Sequence, residues 1–288
     1  MTDYSLLQVR RADGVCWATI DAPPINLMTL PLYFELIQLS QEIEVDDSVG
    51  ALVLQSANPE FFIAHFDVEA ILRFPVDSPA ERGTEVGAYH AMCERFRTMP
   101  KATIAKIAGR VGGGGSELSA SFDMRFGLLG HTVVNQMEVP IGILPGGSGT
   151  QRLPRLLGRG RAMEVVLGGI DLDAATAERW GYLNRAFTTA DELDSYVDNL
   201  ARRIARFPRS AVRLAKQAAL LADPDPTEGL IDEAFLFAQS LRYPEAQQAM
   251  RAFLAAGGQT REGELRVGEL SGELDWRGLA DAQEFQRD

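Results

Sequence analysis

The pattern of apolar and polar positions changes character partway along this chain. Ser5 to Arg10 and Val15 to Asp21 read as strands, separated by a turn at Ala12-Asp13-Gly14. From Pro31 to Asp46 the apolar residues Leu32, Leu36, Leu39 and Ile43 recur at helical spacing and share one face. Ala51 to Gln55 is a short apolar run of the kind that forms a buried strand. Phe66 to Phe74 and Pro79 to Met99 read as helices, Thr103 to Ile107 as another buried strand, and Phe122 to Leu129 as a further one. Strands that alternate with helices predict an α/β fold built from crossover units.

After Gly147 the strand signal fades. Arg152 to Leu157, Ala162 to Leu167, Ala174 to Gly181, Asp191 to Phe207, Arg209 to Asp223 and Glu228 to Ala256 all carry helical patterns. Pro208, Pro224, Pro226 and Pro244 punctuate them, because proline cannot continue a helix interior. The last stretch is polar and glycine-interrupted, with Gly-Glu-Leu repeated at Gly263, Gly268 and Gly272. The division expected is a core over 1–200, a helical region over 201–258 and an appended polar tail over 259–288. That tail is expected either to be disordered or to pack on a neighbouring subunit through Leu265, Leu270, Leu274 and Trp276.

Composition narrows the class. The chain has 288 residues, 46% hydrophobic and 24% charged, which is ordinary globular composition and sufficient for a large core. Its 28 basic and 40 acidic residues leave a net charge of -12, which disfavours nucleic-acid binding. The densest basic stretch, Arg202, Arg203, Arg206, Arg209, Arg213 and Lys216, fits the solvated faces of two helices broken at Pro208. Cys16 and Cys93 have no disulfide-scaffold or CxxC spacing and read as buried thiols, which fits a reducing compartment. No apolar run is long enough for a membrane span, and Met1 to Gly14 lack a signal-peptide core. A soluble cytoplasmic protein is expected. The three His residues and two distant Cys match no metal-ligand spacing.

The candidate chemistry begins at Arg110-Val111-Gly112-Gly113-Gly114-Gly115-Ser116-Glu117-Leu118, a glycine run between a strand and a helical pattern. It is not a P-loop, which needs Lys before Ser or Thr. It is not a dinucleotide fingerprint, because Glu117 stands where the last Gly is required. Neither Ser116 nor Ser148 lies in a Gly-x-Ser-x-Gly elbow. Two readings remain. One is a tight turn in which Glu117 favours the helix dipole. The other is a helix start whose bare N–H groups meet a developing oxyanion, with a carboxylate one turn in as acid or base.

Four ordered segments carry a resemblance that bears on this choice. They are Pro24-Ile25-Asn26-Leu27-Met28, Phe62-Ile63-Ala64-His65-Phe66-Asp67-Val68, Ile107 to Leu118, and Glu138 to Leu153. Ala177 to Asn184 adds weaker support. Together, over about residues 15 to 190, they resemble the crotonase, or enoyl-CoA hydratase/isomerase, superfamily. The resemblance implies a spiral of ββα units with a C-terminal helical region, assembled as a trimer or dimer of trimers. It also implies an acyl-CoA thioester substrate, with no cofactor beyond the CoA that the substrate carries.

By position, the resemblance assigns the oxyanion donors to the N–H groups of Phe66 and Gly114, and the two hydratase carboxylates to Glu117 and Glu138. Ala64, His65, Phe66, Asp67, Gly113 and Gly114 become the substrate-binding stretch. The implied activity is reversible hydration of a 2-enoyl-CoA thioester in fatty acid metabolism. The alternatives are another enolate reaction (isomerisation, thioester hydrolysis or decarboxylation) or an acyl-CoA binder without turnover. Departures keep these open: His65 replaces the usual Gly, Phe66 the common Ala, and Glu69 a frequent basic residue. Asn135-Gln136-Met137 likewise replaces the usual Gly-Gln-Pro. Asp67 is expected to cap a helix, Asn26 to hold a loop, and His90 and His131 to be structural. Phe61, Phe62, Phe66, Phe74, Met92 and Phe96 are candidates for a pocket wall or for the core.

Overall fold

Alternating burial in the strands sets the architecture of the computed structural model, which describes residues 3–275. β1 (Leu7–Ala12) and β2 (Val15–Ile20) form an antiparallel hairpin. Its two-residue turn takes positive φ at Asp13 (51°) and Gly14 (77°). The hydroxyl of Thr29 caps α1 (Leu30–Val45), which buries Leu32, Leu36, Leu39 and Ile43 as their spacing predicts. There follow β3 (Ala51–Ser56), β4 (Phe61–Ile63), α2 (Val68–Ile71), α3 (Ala88–Thr98), β5 (Ala102–Ile107) and β6 (Arg110–Gly112). Next come α4 (Gly113–Ala120), β7 (Met124–Leu128), β8 (Val133–Asn135), α5 (Gly149–Leu157) and α6 (Arg159–Gly168). β9 (Leu172–Asp173), α7 (Ala174–Trp180) and β10 (Arg185–Phe187) complete the sheets. The chain continues through α8 (Ala190–Ala205), α9 (Arg209–Leu220), α10 (Thr227–Ser240), α11 (Pro244–Ala255), α12 (Arg261–Glu264) and α13 (Val267–Gly272).

The strands form a six-stranded sheet, β1-β2-β3-β5-β7-β10, and a four-stranded sheet, β4-β6-β8-β9. Each of the pairs β3/β4, β5/β6 and β7/β8 gives one strand to each sheet before helices return the chain, which makes a ββα spiral. On one face of the large sheet Val15, Trp17, Ala51, Val53, Ile104 and Phe126 pack with Leu193, Val197 and Ala201 of α8. The intervening residues Cys16, Ala18, Leu52, Leu54 and Ala105 face the opposite cluster with α1 and α3. Both cysteines are free and buried.

Several elements differ from the sequence expectation. The small sheet has no counterpart in it, because strands of two or three residues are too short to show a period. The helix expected over Pro79 to Met99 begins only at Ala88. The preceding segment is instead tied across the molecule, where Arg82 reaches Glu228 at 2.6 Å and Asp232 at 2.6 Å on α10. The helix expected over Phe66 to Phe74 shrinks to α2, and Pro244 splits Glu228 to Ala256 into α10 and α11.

The polar stretch from 259 folds onto its own chain as far as it is described. Val267 and Leu270 are buried with Met250 and Phe253 of α11 and with Val68, Met137 and Ile141. Trp276 lies outside the described residues. Among those residues, no helix is long and apolar enough to cross a membrane, and no group of three His, Cys, Asp or Glu could hold a metal ion.

Candidate active site

The spiral brings three chain turns together around one cavity of about 360 Å³. Leu30 and Tyr33 come from α1, His65 and Phe66 from the segment after β4, Tyr89 from α3, and Gly114 and Glu117 from α4. Met137, Glu138, Ile141, Ile143 and Leu144 come from the loop after β8, and Phe237 from α10. Phe74 closes another part of the wall. Of the sequence-predicted residues, His65, Phe66, Gly114, Glu117 and Glu138 meet there.

Phe74, a pocket-wall candidate from the sequence, lines it as well, and the others do not. Ala64 packs with Ile25 and Phe61 and borders a separate small crevice. Asp67 caps α2 by accepting the Glu69 N–H at 2.9 Å, as expected of it. Gly113 lies behind the wall with φ 43°, and a Cβ there would stand 2.9 Å from Glu138 Oε1. Phe61, Phe62, Met92 and Phe96 are core residues. Asn26 holds the neighbouring loop: its Oδ1 accepts from Ala22 N, and its Nδ2 donates to Ser56 Oγ and to the Phe61 and Phe62 carbonyls.

Backbone pairing leaves two donors open at the cavity wall. Met28 N donates to the His65 carbonyl and Asp67 N to the Met28 carbonyl, a parallel bridge around Phe66. In such a bridge the N–H and C=O of Phe66 both point away from Met28. Gly114 occupies the first turn of α4, where N–H groups have no intrahelical acceptor. Among the described residues neither the Phe66 nor the Gly114 N–H has a hydrogen-bond acceptor. A Cβ on Gly114 would stand 3.0 Å from the Tyr89 hydroxyl and 3.3 Å from Phe66 Cβ, tighter than ordinary contact, so a side chain there would crowd the approach of the two donors.

The two carboxylates are set by different partners. Glu117, 3% exposed, accepts through Oε1 from Gly147 N at 2.8 Å and from Gly149 N at 2.8 Å. Glu138, 7% exposed, accepts from Gln136 Nε2 at 3.1 Å. Burial, then the neighbouring charges of Glu138 and Glu233, hold the Glu117 carboxyl well above the usual range. Burial pushes Glu138 up to about 7, against the pull of its own backbone N–H and of His65. Burial thus raises both carboxyls, and the two titrate as an interacting pair.

Residues from the far end of the chain brace this arrangement. Glu233 on α10 accepts from Ser148 N at 2.6 Å, Thr150 N at 3.0 Å and His90 Nε2 at 2.9 Å, and also from the Thr150 hydroxyl. Successive amides from Gly147 to Thr150 therefore serve Glu117 and Glu233 alternately. Ser148 adopts φ 99° to allow this, a conformation that costs a side-chain-bearing residue about 1–3 kcal/mol. Tyr89 donates its hydroxyl to the Gly114 carbonyl at 2.6 Å. Glu233, Glu264 and Tyr89 escaped the sequence reading because no local motif marks them. Their partners lie 143, 199 and 25 residues away in the chain.

An apolar cavity with two open N–H donors and two buried carboxyls can bind a carbonyl that gains negative charge and move protons beside it. Residues 10–258 match the enoyl-CoA hydratase/isomerase family, and the chain belongs to that family. It is similar to the probable enoyl-CoA hydratase of Mycobacterium leprae, 32% identical over 255 residues, covering 87% of this chain and 95% of that one. A Streptomyces avermitilis protein provisionally described as an enoyl-CoA hydratase is 38% identical, with a TM-score of 0.84 over 93% of this chain and 98% of that one. The fatty acid oxidation complex subunit alpha of Aliivibrio fischeri is 36% identical over 176 residues, 60% of this chain and 25% of that one.

Proposed function

We propose that the protein catalyses reversible hydration of a 2-enoyl-CoA thioester to a 3-hydroxyacyl-CoA. The observation that carries this reading is the pair Glu117 and Glu138, both buried at one apolar cavity. Isomerisation needs one carboxylate to shuttle a proton; adding water across a double bond is served by two.

In this reading the thioester oxygen accepts from Phe66 N–H and Gly114 N–H. The pair of carboxylates begins with one proton. The ionised member takes a proton from water as its oxygen bonds to the β carbon. Electrons shift from the double bond to the thioester oxygen, and the enolate then takes a proton at the α carbon from the other Glu. One proton remains on the pair, so the protons balance. Burial raises the Glu138 carboxyl to about 7, which makes its carboxylate a stronger base and suits it to work near neutrality. Tyr33, Phe66, Phe74, Tyr89 and Phe237 give the acyl group an aromatic enclosure. The family's trimeric assembly would cover α9, none of whose residues is buried and which exposes Leu214.

Loss of the conjugated enoyl-thioester absorbance tests the proposal, with crotonyl-CoA and a longer or aromatic enoyl-CoA. Hydration is expected in the native protein and a loss of about 10²–10⁴-fold in both Glu117→Gln and Glu138→Gln. Double-bond migration that survives one of these substitutions would favour isomerase chemistry. Thioester binding with no turnover on any of these substrates would refute hydration as the function.

A further inference from the structure

His65 stands beside the proposed oxyanion donor and is 1% exposed. Both of its ring nitrogens face acceptors. Nδ1 lies 2.8 Å from the Phe66 carbonyl oxygen, and Nε2 lies 3.0 Å from Glu264 Oε1. A carbonyl oxygen accepts only, so Nδ1 carries a proton. Glu264 Oε1 also accepts from Gln259 N at 2.8 Å, and Glu264 is itself 1% exposed. An ionised Glu264 therefore requires Nε2 to donate as well. The ring is then an imidazolium paired with a buried carboxylate.

The location matters more than the pair itself. The Phe66 carbonyl points to the same side as the Phe66 N–H, because the Met28 bridge occupies the other side. Left bare, that carbonyl would set a negative dipole beside an oxygen that is gaining negative charge. His65 covers it with a charged donor. Glu138 approaches the root of the His65 side chain, and the charge of His65 acts on its carboxyl. A Cβ on Gly113 would stand 3.0 Å from His65 Cβ and 2.9 Å from Glu138 Oε1.

We propose that the buried His65–Glu264 pair is a positioning device for the reaction, in which an imidazolium fixes the Phe66 peptide and sets a positive charge on the Glu138 side of the cavity. Its carboxylate comes from α12, so the far end of the chain completes the electrostatics of the cavity. This rests on the hydration reading for the roles of Phe66 and Glu138.

The groups that face this pair are few. His65 meets Glu264 and Glu138 as charged neighbours. Burial pulls the His65 imidazole down, but the Glu264 carboxylate, the Phe66 carbonyl and Glu138 together leave it raised. Burial pushes Glu264 up, while His65, the Gln259 N–H and Arg110 more than offset it and leave it lowered. Glu138 in turn meets His65, Gln136 and Glu233, and Glu117 meets Glu138 and Glu233. His65 is the cationic group among those that act on Glu138, so losing its charge should shift Glu138 toward the neutral form.

The test uses magnetic resonance, so that it stands whether or not the chain hydrates enoyl thioesters. Three His residues make imidazole ¹⁵N spectra tractable, with His65→Gln as the assignment control. His65 is expected to show two protonated nitrogens at pH 7.5. A neutral-imidazole signature there would overturn the proposal. The Glu138 carboxyl, assigned by Glu138→Gln, is then titrated by ¹³C in the native protein and in Glu264→Gln. Its midpoint is expected to rise by at least half a pH unit in Glu264→Gln and equally in His65→Gln, with no further rise in the double variant. An unmoved midpoint in folded variants, or additive shifts, would refute the coupling. Where turnover is measurable, the acid limb of kcat/KM moves up with the midpoint; a variant that loses only thermal stability, with its limb in place, marks a structural pair and overturns the proposal.

Discussion

Replacing Glu138 by Gln should make the protein more stable while it abolishes turnover. Burial raises this carboxyl from 4.5 to about 7, so its ionised form opposes folding. Linkage fixes the sign. A folded-state pKa raised above the unfolded value contributes stability that is fully present below about pH 4.5 and lost as pH rises through about 7. At about 1.4 kcal/mol per pH unit, the loss reaches about 3 kcal/mol above pH 7. Glutamine has nearly the same shape and no charge, so the variant escapes this loss. The pull of His65 on the carboxylate is already contained in the value of about 7, so the expected gain stays at about 3 kcal/mol. Urea unfolding at pH 5 and pH 8 measures the difference. Native and variant should be close at pH 5, and the variant should lead at pH 8. In a thermal melt the lead is about 4–6 °C for a chain of this size. A variant that is equally displaced at both pH values, or less stable at pH 8, would refute the account of Glu138 as a carboxylate held against its solvation.

Other substitutions test other parts of the site. Gly114→Ala places a methyl 3.3 Å from Phe66 Cβ and 3.0 Å from the Tyr89 hydroxyl, in the approach to the two donors. It is expected to lower kcat by about 10²–10³-fold, the cost of one lost oxyanion contact, with thioester binding weakened less; unchanged kcat would exclude this pair as the donors. Gly115→Ala puts a methyl 2.6 Å from Ile63 Cβ and 2.8 Å from its carbonyl, where backbone must move. Denaturant melts should show about 1–3 kcal/mol of destabilisation, and a neutral result would contradict close packing of α4 on β4. Glu233→Ala strips acceptors from Ser148 N, Thr150 N and His90. About 3 kcal/mol or more should be lost at neutral pH, together with activity through the loop that holds Glu117; full activity would show that the loop keeps its shape unaided.

Legibility in the sequence followed local geometry. The face Leu32, Leu36, Leu39 and Ile43 is readable because helical spacing within one segment decides which side is buried, and all four are fully buried. The glycine run marks a close approach of backbone in the same way, and the family resemblance chose between a tight turn and an oxyanion site. Donors on α4 can approach Phe66 only where no side chain intervenes, and that demand is written as consecutive glycines. Glu117 and Glu138 were found by their places in ordered segments, and the fold brings both to one cavity.

What the sequence alone did not carry is the set of relations between distant segments. Strands β4, β6, β8 and β9 owe their existence to pairing with one another, so their short sequences hold no period to read. His65 looked isolated until α12 supplied Glu264, and His90 until α10 supplied Glu233. The stretch from Gly263 reads as polar because its apolar residues are sparse, yet Val267 and Leu270 are enough to fill a crevice over Phe253. The chain's local order thus determined the alternation of strands and helices, while the resemblance of its ordered segments to the family implied the ββα spiral and named the candidate carboxylates. Only tertiary packing decided their pKa, because a carboxyl's pKa depends on its burial and on what surrounds it, and His65 and Glu233 reach the site from segments distant in the chain.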